Sequence, residues 1–173
     1  ENVGRIVSSL SSFQNSENLI AYTANHGRFV GEHGWFGTHW MYEETMRIPL
    51  VLSGNVSFLG SQKILKTELV QNIDLAPTIL DLLKIKGGEG MHGRSLLPLL
   101  EHNSSAPDPW RKALYFHYHA FPEEQMVPKH YGIRTSSHKL IHYYQFNEWE
   151  LFDLDKDPHE NTNLHENEGY QKR

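Results

Sequence analysis

Leu19 to Leu50 reads LIAYTANHGRFVGEHGWFGTHWMYEETMRIPL. It opens on an apolar run, Leu19-Ile20-Ala21-Tyr22, bounded by Thr23, Asn25 and Gly27. That pattern predicts a short buried strand whose end spills into a polar loop. A second apolar run, Ile48 to Leu52, is introduced by Arg47 and interrupted by Pro49. Between the two lie three histidines, two tryptophans, three acids and four glycines. A connection of that length inside a compact domain is uncommon and is usually functional. In open α/β sheets, ligands bind outside the carboxyl ends of strands, which is where Asn25 and His26 would sit.

The whole chain sets the frame for that loop. Its 173 residues suffice for one ordinary domain with a real core. A hydrophobic fraction of 38% and a charged fraction of 21% fit a globular protein. The net charge of −5 is spread without long runs, which argues against a nucleic-acid partner. No apolar stretch approaches the ~18 residues of a membrane span. Glu1-Asn2-Val3-Gly4 opens directly into a helical pattern, so no signal peptide is expected. Cysteine is absent, which removes disulfides and thiolate metal sites. Asn55-Val56-Ser57 and Asn103-Ser104-Ser105 fit the N-glycosylation pattern.

Four sub-motifs follow one another in the opening stretch. They are Thr23-Ala24-Asn25-His26-Gly27, Gly31-Glu32-His33-Gly34, Met41-Tyr42-Glu43-Glu44 and Arg47-Ile48-Pro49-Leu50. Together they resemble the late active-site segment of the sulfatases, members of the alkaline phosphatase superfamily. That family runs roughly T-S-D-[HNQ]-G, G-[ED]-H-G, K-x-x-x-[YF]-E and R-x-P-L. The resemblance implies the C-terminal portion of an alkaline-phosphatase-like α/β sandwich followed by a small antiparallel β subdomain. It places the division at residues 1–109 and 110–173.

The same resemblance implies a site. Asn25 and His26 take the positions of a calcium-binding pair, with Asn25 standing where the family has Asp. Thr38 takes the position of a catalytic lysine that contacts sulfate and leaving-group oxygens. An Asn carbonyl still offers oxygen to a hard cation but brings no charge. Thr38 brings a hydroxyl and no cation, and loss of a comparable electrostatic contact costs roughly 3 kcal/mol of transition-state stabilisation. His130, in Lys129-His130-Tyr131-Gly132-Ile133-Arg134, resembles a segment of carbohydrate sulfatases whose His lies near the sulfated sugar. The family nucleophile is a formylglycine made within C/S-x-P-x-R. No such motif occurs in these residues; the nearest, Ser105-Ala106-Pro107, has Pro109 where Arg is required.

The implied function is therefore the C-terminal portion of a sulfatase acting on a sulfated carbohydrate. Alone it is expected to be inactive, its partner being a missing N-terminal part of the same fold. Two rivals stand beside it. One is a pseudoenzyme or carbohydrate-binding relative, favoured by the charge lost at Asn25 and Thr38. The other is a phosphoesterase or phosphonate hydrolase of the same superfamily. Family members of this kind are secreted, periplasmic or lysosomal.

The remaining residues read mainly as scaffold. Val3, Ile6, Val7, Leu10 and Phe13 recur at helical intervals. Asn72 to Leu83 predicts a helix with Asp74 as N-cap, Pro77 in its first turn and Gly87-Gly88 as its stop. Ile79, Leu80, Leu82 and Leu83 are its expected buried side. Gly93 to Leu100 resembles the family's G-x-S-L-x-P-L-L turn. Ala113–Tyr118, Tyr131–Thr135, Lys139–Tyr144 and Glu150–Asp153 predict antiparallel strands at hairpin-like separations. Within the loop, Glu43 is the expected partner of Arg47, and His33 an organiser. The three histidines are seven and six residues apart and lack an H-E-x-x-H arrangement, which argues against a three-histidine zinc site. Tyr115, Phe116, His117, Tyr118, His119 and Phe121 form either a sugar wall or one face of a core.

Overall fold

The computed structural model describes residues 2–10, 17–56, 66–87, 90–100, 110–123 and 125–170. The chain forms two compact units, one from residues 1–24 and 49–109, the other from residues 25–48 and 110–173. The connection 25–48, grouped by sequence with the N-terminal portion, clusters with the C-terminal strands. Both glycosylation triplets and Phe13 involve residues outside those described.

In the first unit, helix α1 spans Asn2–Leu10 and β1 spans Leu19–Thr23. β1 pairs antiparallel with β4, Leu50–Gly54, with Tyr22 opposite Val51. The expected burial is not met at several positions. Val3 and Ile6 of α1 are exposed, and so are the paired Tyr22 and Val51. Tyr22 and Val51 share one face of the β1–β4 ribbon, and among the described residues nothing covers it, so an apolar run alone does not secure burial.

A single 3-10 turn, Asn72–Asp74, leads into α3, Leu75–Leu82. Asp74 does not cap α3 as expected. It lies one turn in, and its Oδ2 accepts the Gln71 amide at 2.7 Å while the Gln71 side chain answers the Asp74 backbone. The helix also stops before the glycines, at Lys84, which adopts φ 55°. Ile79 and Leu83 turn out to be exposed, so the buried stripe is narrower than read.

Asp74 is fully buried, and its Oδ1 accepts the Arg94 amide at 2.9 Å. Thr78 accepts the Leu96 amide at 2.9 Å and donates to the Asp74 carbonyl. Gly93 passes so close to the Ile73 carbonyl that a Cβ has no room. The Asp74–Thr78 element and the Gly93–Leu96 turn are thus each other's hydrogen-bond partners, and α4, Leu97–Leu100, follows with Leu99 buried.

The second unit is built on a four-stranded antiparallel meander. Its strands are β5 Ala113–Tyr118, β6 His130–Thr135, β7 His138–Tyr143 and β8 Glu148–Asp153, in sequence order. Period-two alternation sends Phe116, Tyr118, His130, Lys139, Ile141, Tyr143 and Phe152 to one face. The other face carries a register row of rings: His117, Tyr131, His142 and Trp149.

The loop 25–48 packs on the first of these faces. It contains β2 Phe29–Val30, β3 Phe36–Gly37 and the one-turn helix α2 Glu43–Met46. Phe29, Met41 and Tyr42 of the loop share a core with Ile141, Tyr143 and Phe152. Each such burial contributes roughly 2–3 kcal/mol. Gly132 of β6 marks the closest approach, since a Cβ there would strike the Leu140 carbonyl and Met41 Sδ.

Candidate functional site

The loop is held to the sheet by charge as well as by apolar packing. Lys139 points inward from β7 and is fully buried. Its Nζ lies 2.9 Å from Glu43 Oε1 and 2.6 Å from Glu160 Oε1. Arg134 Nη2 adds a contact at 3.3 Å to Glu43 Oε2. The expected Glu43–Arg47 pair does not form, because α2 turns the Glu43 side chain toward the strands. Glu160 Oε2 accepts the Glu43 amide at 2.7 Å, capping α2 from the closing turn after β8.

Burial works against the Glu43 carboxylate, but Lys139 and Arg134 outweigh it and hold its pKa below the usual carboxylate value. Glu160 is pushed the other way, upward, because burial there outweighs Lys139. A second anchor lies alongside. Tyr42 and Tyr143 both donate to Glu150 Oε2, at 2.8 and 3.1 Å. Burial raises both phenols and the Glu150 carboxyl, so the hydroxyls stay protonated and serve as donors.

His33 is the organiser the sequence suggested. It meets the Tyr42 ring at 4.9 Å and Phe29 at 5.8 Å, with Nε2 3.6 Å from Glu44 Oε1. It therefore packs within the loop.

Those two come together. The rings of His26 and His39 are 6.4 Å apart. His39 occupies the left-handed region, with φ 79°, and its ring stacks on Tyr118 at 5.3 Å. Tyr118 in turn lies 5.7 Å from the His130 ring. The line His26, His39, Tyr118, His130 runs from the loop to the start of β6. Of the aromatics in Tyr115–Phe121, Phe116 and Tyr118 face His130, whereas Tyr115 and His117 face outward.

Thr38 is buried, not presented. Gln125 Oε1 accepts its amide at 2.6 Å and its hydroxyl at 3.3 Å. Gly37, at φ 122°, brings the backbone so near Gln125 that a Cβ would lie 2.5 Å from Oε1. The Thr38 hydroxyl also lies 3.2 Å from His39 Nδ1. Thr38 is thus held by Gln125 and lies against His39.

His130 is fully buried among Trp40, Phe116, Tyr118 and Tyr143. Its Nδ1 donates to the Pro128 carbonyl at 2.7 Å, which leaves Nε2 a bare acceptor with no partner. Burial lowers its pKa below the usual histidine value, so the ring is neutral.

Asn25 supplies an amide oxygen and His26 an imidazole nitrogen. Among the described residues, no three His, Asp or Glu side chains gather as a metal-binding set. A calcium ion takes ~6–8 oxygen ligands. The donors of this chain do not fit that ion by themselves.

Residues 31–173 match the family described as N-sulphoglucosamine sulphohydrolase, C-terminal. The chain belongs to the sulfatase family. Over its full length this sulfatase chain is 39% identical to the N-acetylglucosamine-6-O-sulfatase of Bacteroides thetaiotaomicron, of which it covers 31%. It is 33% identical to an arylsulfatase of Clostridium perfringens, with 99% of the chain and 34% of that protein covered. Its fold matches BT4656, solved in complex with its substrate D-glucosamine-2-N,6-O-disulfate, at a TM-score of 0.83 and 39% identity. That match covers 99% of this chain and 35% of the other. The sulfatase chain thus spans about a third of the length of these relatives, and its fold is the C-terminal portion of the alkaline-phosphatase-like α/β architecture that the loop motifs implied. Among the described residues, no helix is long and apolar enough to cross a membrane.

Proposed function

We infer that this chain is the C-terminal portion of a sulfatase that hydrolyses sulfate esters of an amino-sugar carbohydrate, in a secreted, periplasmic or lysosomal setting. One observation carries the reading. A buried ion network fixes the loop 25–48 to the β5–β8 sheet, with the His26 ring beside His39, His39 stacked on Tyr118, and Tyr118 beside His130.

In this reading His130 works at the substrate end. Its neutral Nε2 accepts a hydrogen bond from a sugar hydroxyl once one of the covering rings moves aside, and the remaining rings exclude water. Exclusion of water strengthens each polar contact made there. Asn25 and His26 lie toward the sulfate. No step is assigned to a calcium ion, because the donors of this chain do not fit one. The formylglycine nucleophile belongs to a part of the fold outside these 173 residues.

The test is a titration of the isotope-labelled chain with D-glucosamine-2-N,6-O-disulfate, followed by NMR. Shifts clustered at residues 25–39 and at Tyr118 and His130 are expected, and they should vanish in His130→Asn. Shifts confined to other surfaces, or none at millimolar sugar, would overturn the assignment.

A further inference from the structure

Four rings enclose His130, and they are not held alike. Trp40 is stacked on Trp35 at 4.3 Å, and both pack against the core shared by the loop and the sheet. Phe116 packs against the same core. Tyr143 belongs to it, is 5% exposed and donates its hydroxyl to Glu150 Oε2 at 3.1 Å. None of these three rings can turn without opening a close-packed interior.

Tyr118 is placed differently. It ends β5 and faces His130 in the last register pair of the β5–β6 ladder. Its ring lies on His39 at 5.3 Å and an interplanar angle of 17°, with the His130 ring 5.7 Å away. Its hydroxyl donates to Glu123 Oε2 at 3.1 Å, and Glu123 is exposed. Burial and the Glu123 carboxylate raise the phenol above its usual value, so the hydroxyl keeps its proton and donates. Glu123 is itself held in place. Its carbonyl accepts the Met126 amide at 2.9 Å, and nearby Gln125 Oε1 accepts the Thr38 amide at 2.6 Å. A hydrogen bond at the surface exchanges with water at small net cost. A change of the Tyr118 rotamer, with the backbone unmoved, therefore suffices to uncover His130.

His130 has a use for such a motion. It is fully buried, yet its Nε2 has no partner. A buried polar atom left bare is costly. Nδ1 gives its proton to the Pro128 carbonyl, so whatever reaches Nε2 must donate. We propose that Tyr118 is the movable wall around His130 and Glu123 its latch, two positioning residues that set how often Nε2 is open to a sugar hydroxyl. The proposal rests on the reading of His130 as the acceptor for the sugar. A site that binds only when open has its apparent affinity lowered by the open fraction. Loosening the latch then tightens sugar binding, the reverse of what losing a direct contact does.

Two measurements on the 173-residue chain test this. The first uses diethyl pyrocarbonate, which modifies a neutral, accessible imidazole nitrogen. Tryptic cleavage after Lys129 and Arg134 leaves His130 as the single histidine of its peptide, so mass spectrometry follows it directly. In the parent chain His130 is expected to react far more slowly than the exposed His117 and His165. Tyr118→Phe and Glu123→Ala should each speed its reaction by roughly threefold or more, since each removes the latch bond and leaves the rings in place. Tyr143→Phe, in which the ring stays fixed in the core, should not. The second measurement is the sugar titration described above. In Tyr118→Phe, D-glucosamine-2-N,6-O-disulfate should bind more tightly by the same factor as the modification speeds up. A ring that only supports the fold would not tie the two factors together.

His130 as reactive as His117 in the parent chain would overturn the proposal. So would a rate that neither latch variant moves, or one that Tyr143→Phe raises equally. Faster modification with sugar affinity unchanged strikes the reading of His130 as the acceptor and leaves the movable wall standing. Sugar bound at His130, with modification unmoved by the latch variants, strikes only the wall.

Discussion

Lys139 Nζ and Glu43 Oε1 stand 2.9 Å apart, joining an inner strand of the four-stranded meander to the helix of a distant loop. Lys139 is fully buried, and its second carboxylate, Glu160, comes from the turn after β8. Removing the cation would leave the buried Glu160 carboxylate without its counter-charge and Glu43 with Arg134 alone.

Lys139→Met is therefore expected to destabilise the second unit by about 3–5 kcal/mol, the range for breaking a buried ion pair from one side. Chemical denaturation followed by tryptophan fluorescence measures this, because Trp35 and Trp40 are packed against the same core. A loss under 1 kcal/mol would mean that the network holds nothing in place.

Tyr42→Phe should cost about 1–3 kcal/mol. It removes one of the two hydroxyl donors to Glu150 while the ring keeps its packing. Tyr143→Phe removes the other donor. The double variant should show coupling, since both hydroxyls serve one oxygen, and a double-mutant cycle by urea denaturation measures it.

Asp153 gives a dependence on pH. Hydrogen bonds from Tyr170 and Lys156 hold its pKa at about 2, against an ordinary value of 3.8. A depressed carboxylate contributes its full stability above the unfolded value. That stability is lost as pH falls from near 3.8 through about 2. Asp153→Asn should thus lower the melting temperature at pH 6, and the gap to the parent chain should narrow steeply below pH 4 and close below pH 2.

Glu160 has the opposite sign. Its pKa is raised by burial, so the folded state holds a proton more tightly than the unfolded chain. Stability from this group declines as pH rises through that raised value. Glu160→Gln should remove this decline, at the cost of the ion pair to Lys139.

In the first unit, Asp74→Ala leaves the amides of Gln71 and Arg94 without their acceptor. Two part-buried amides that lose their acceptor cost roughly 1–3 kcal/mol. Asp74→Asn keeps one oxygen and should lose about half as much. Thermal unfolding of the two variants side by side checks the ratio.

The strands β5 to β8 were legible because alternation and turn residues agree, as at Lys139–Tyr143 and Ser136-Ser137. The Asp74–Thr78 element was legible too, although its cap moved to Gln71, since a backbone-to-carboxylate bond can serve any nearby acceptor. Burial was read less well at Tyr22, Ile79 and Leu83, where apolar character does not say whether a neighbour exists. The site was legible only as positions. That Thr38 is buried against Gln125 depends on contacts between residues far apart in sequence and on the unusual φ at Gly37 and His39. Lys139 and Glu160 were missed altogether. The available signal was a lone lysine at an inward position of an alternating strand, between the inward-facing series that continues with Ile141 and Tyr143.

The loop 25–48 and the strands after residue 110 fold as one body although a long segment of chain separates them. An engineer who grafts only the terminal strands from a relative would leave Glu43 facing a foreign lysine, or none. Transferring specificity between such enzymes calls for moving two pieces at once, with junctions near residues 24, 48 and 110.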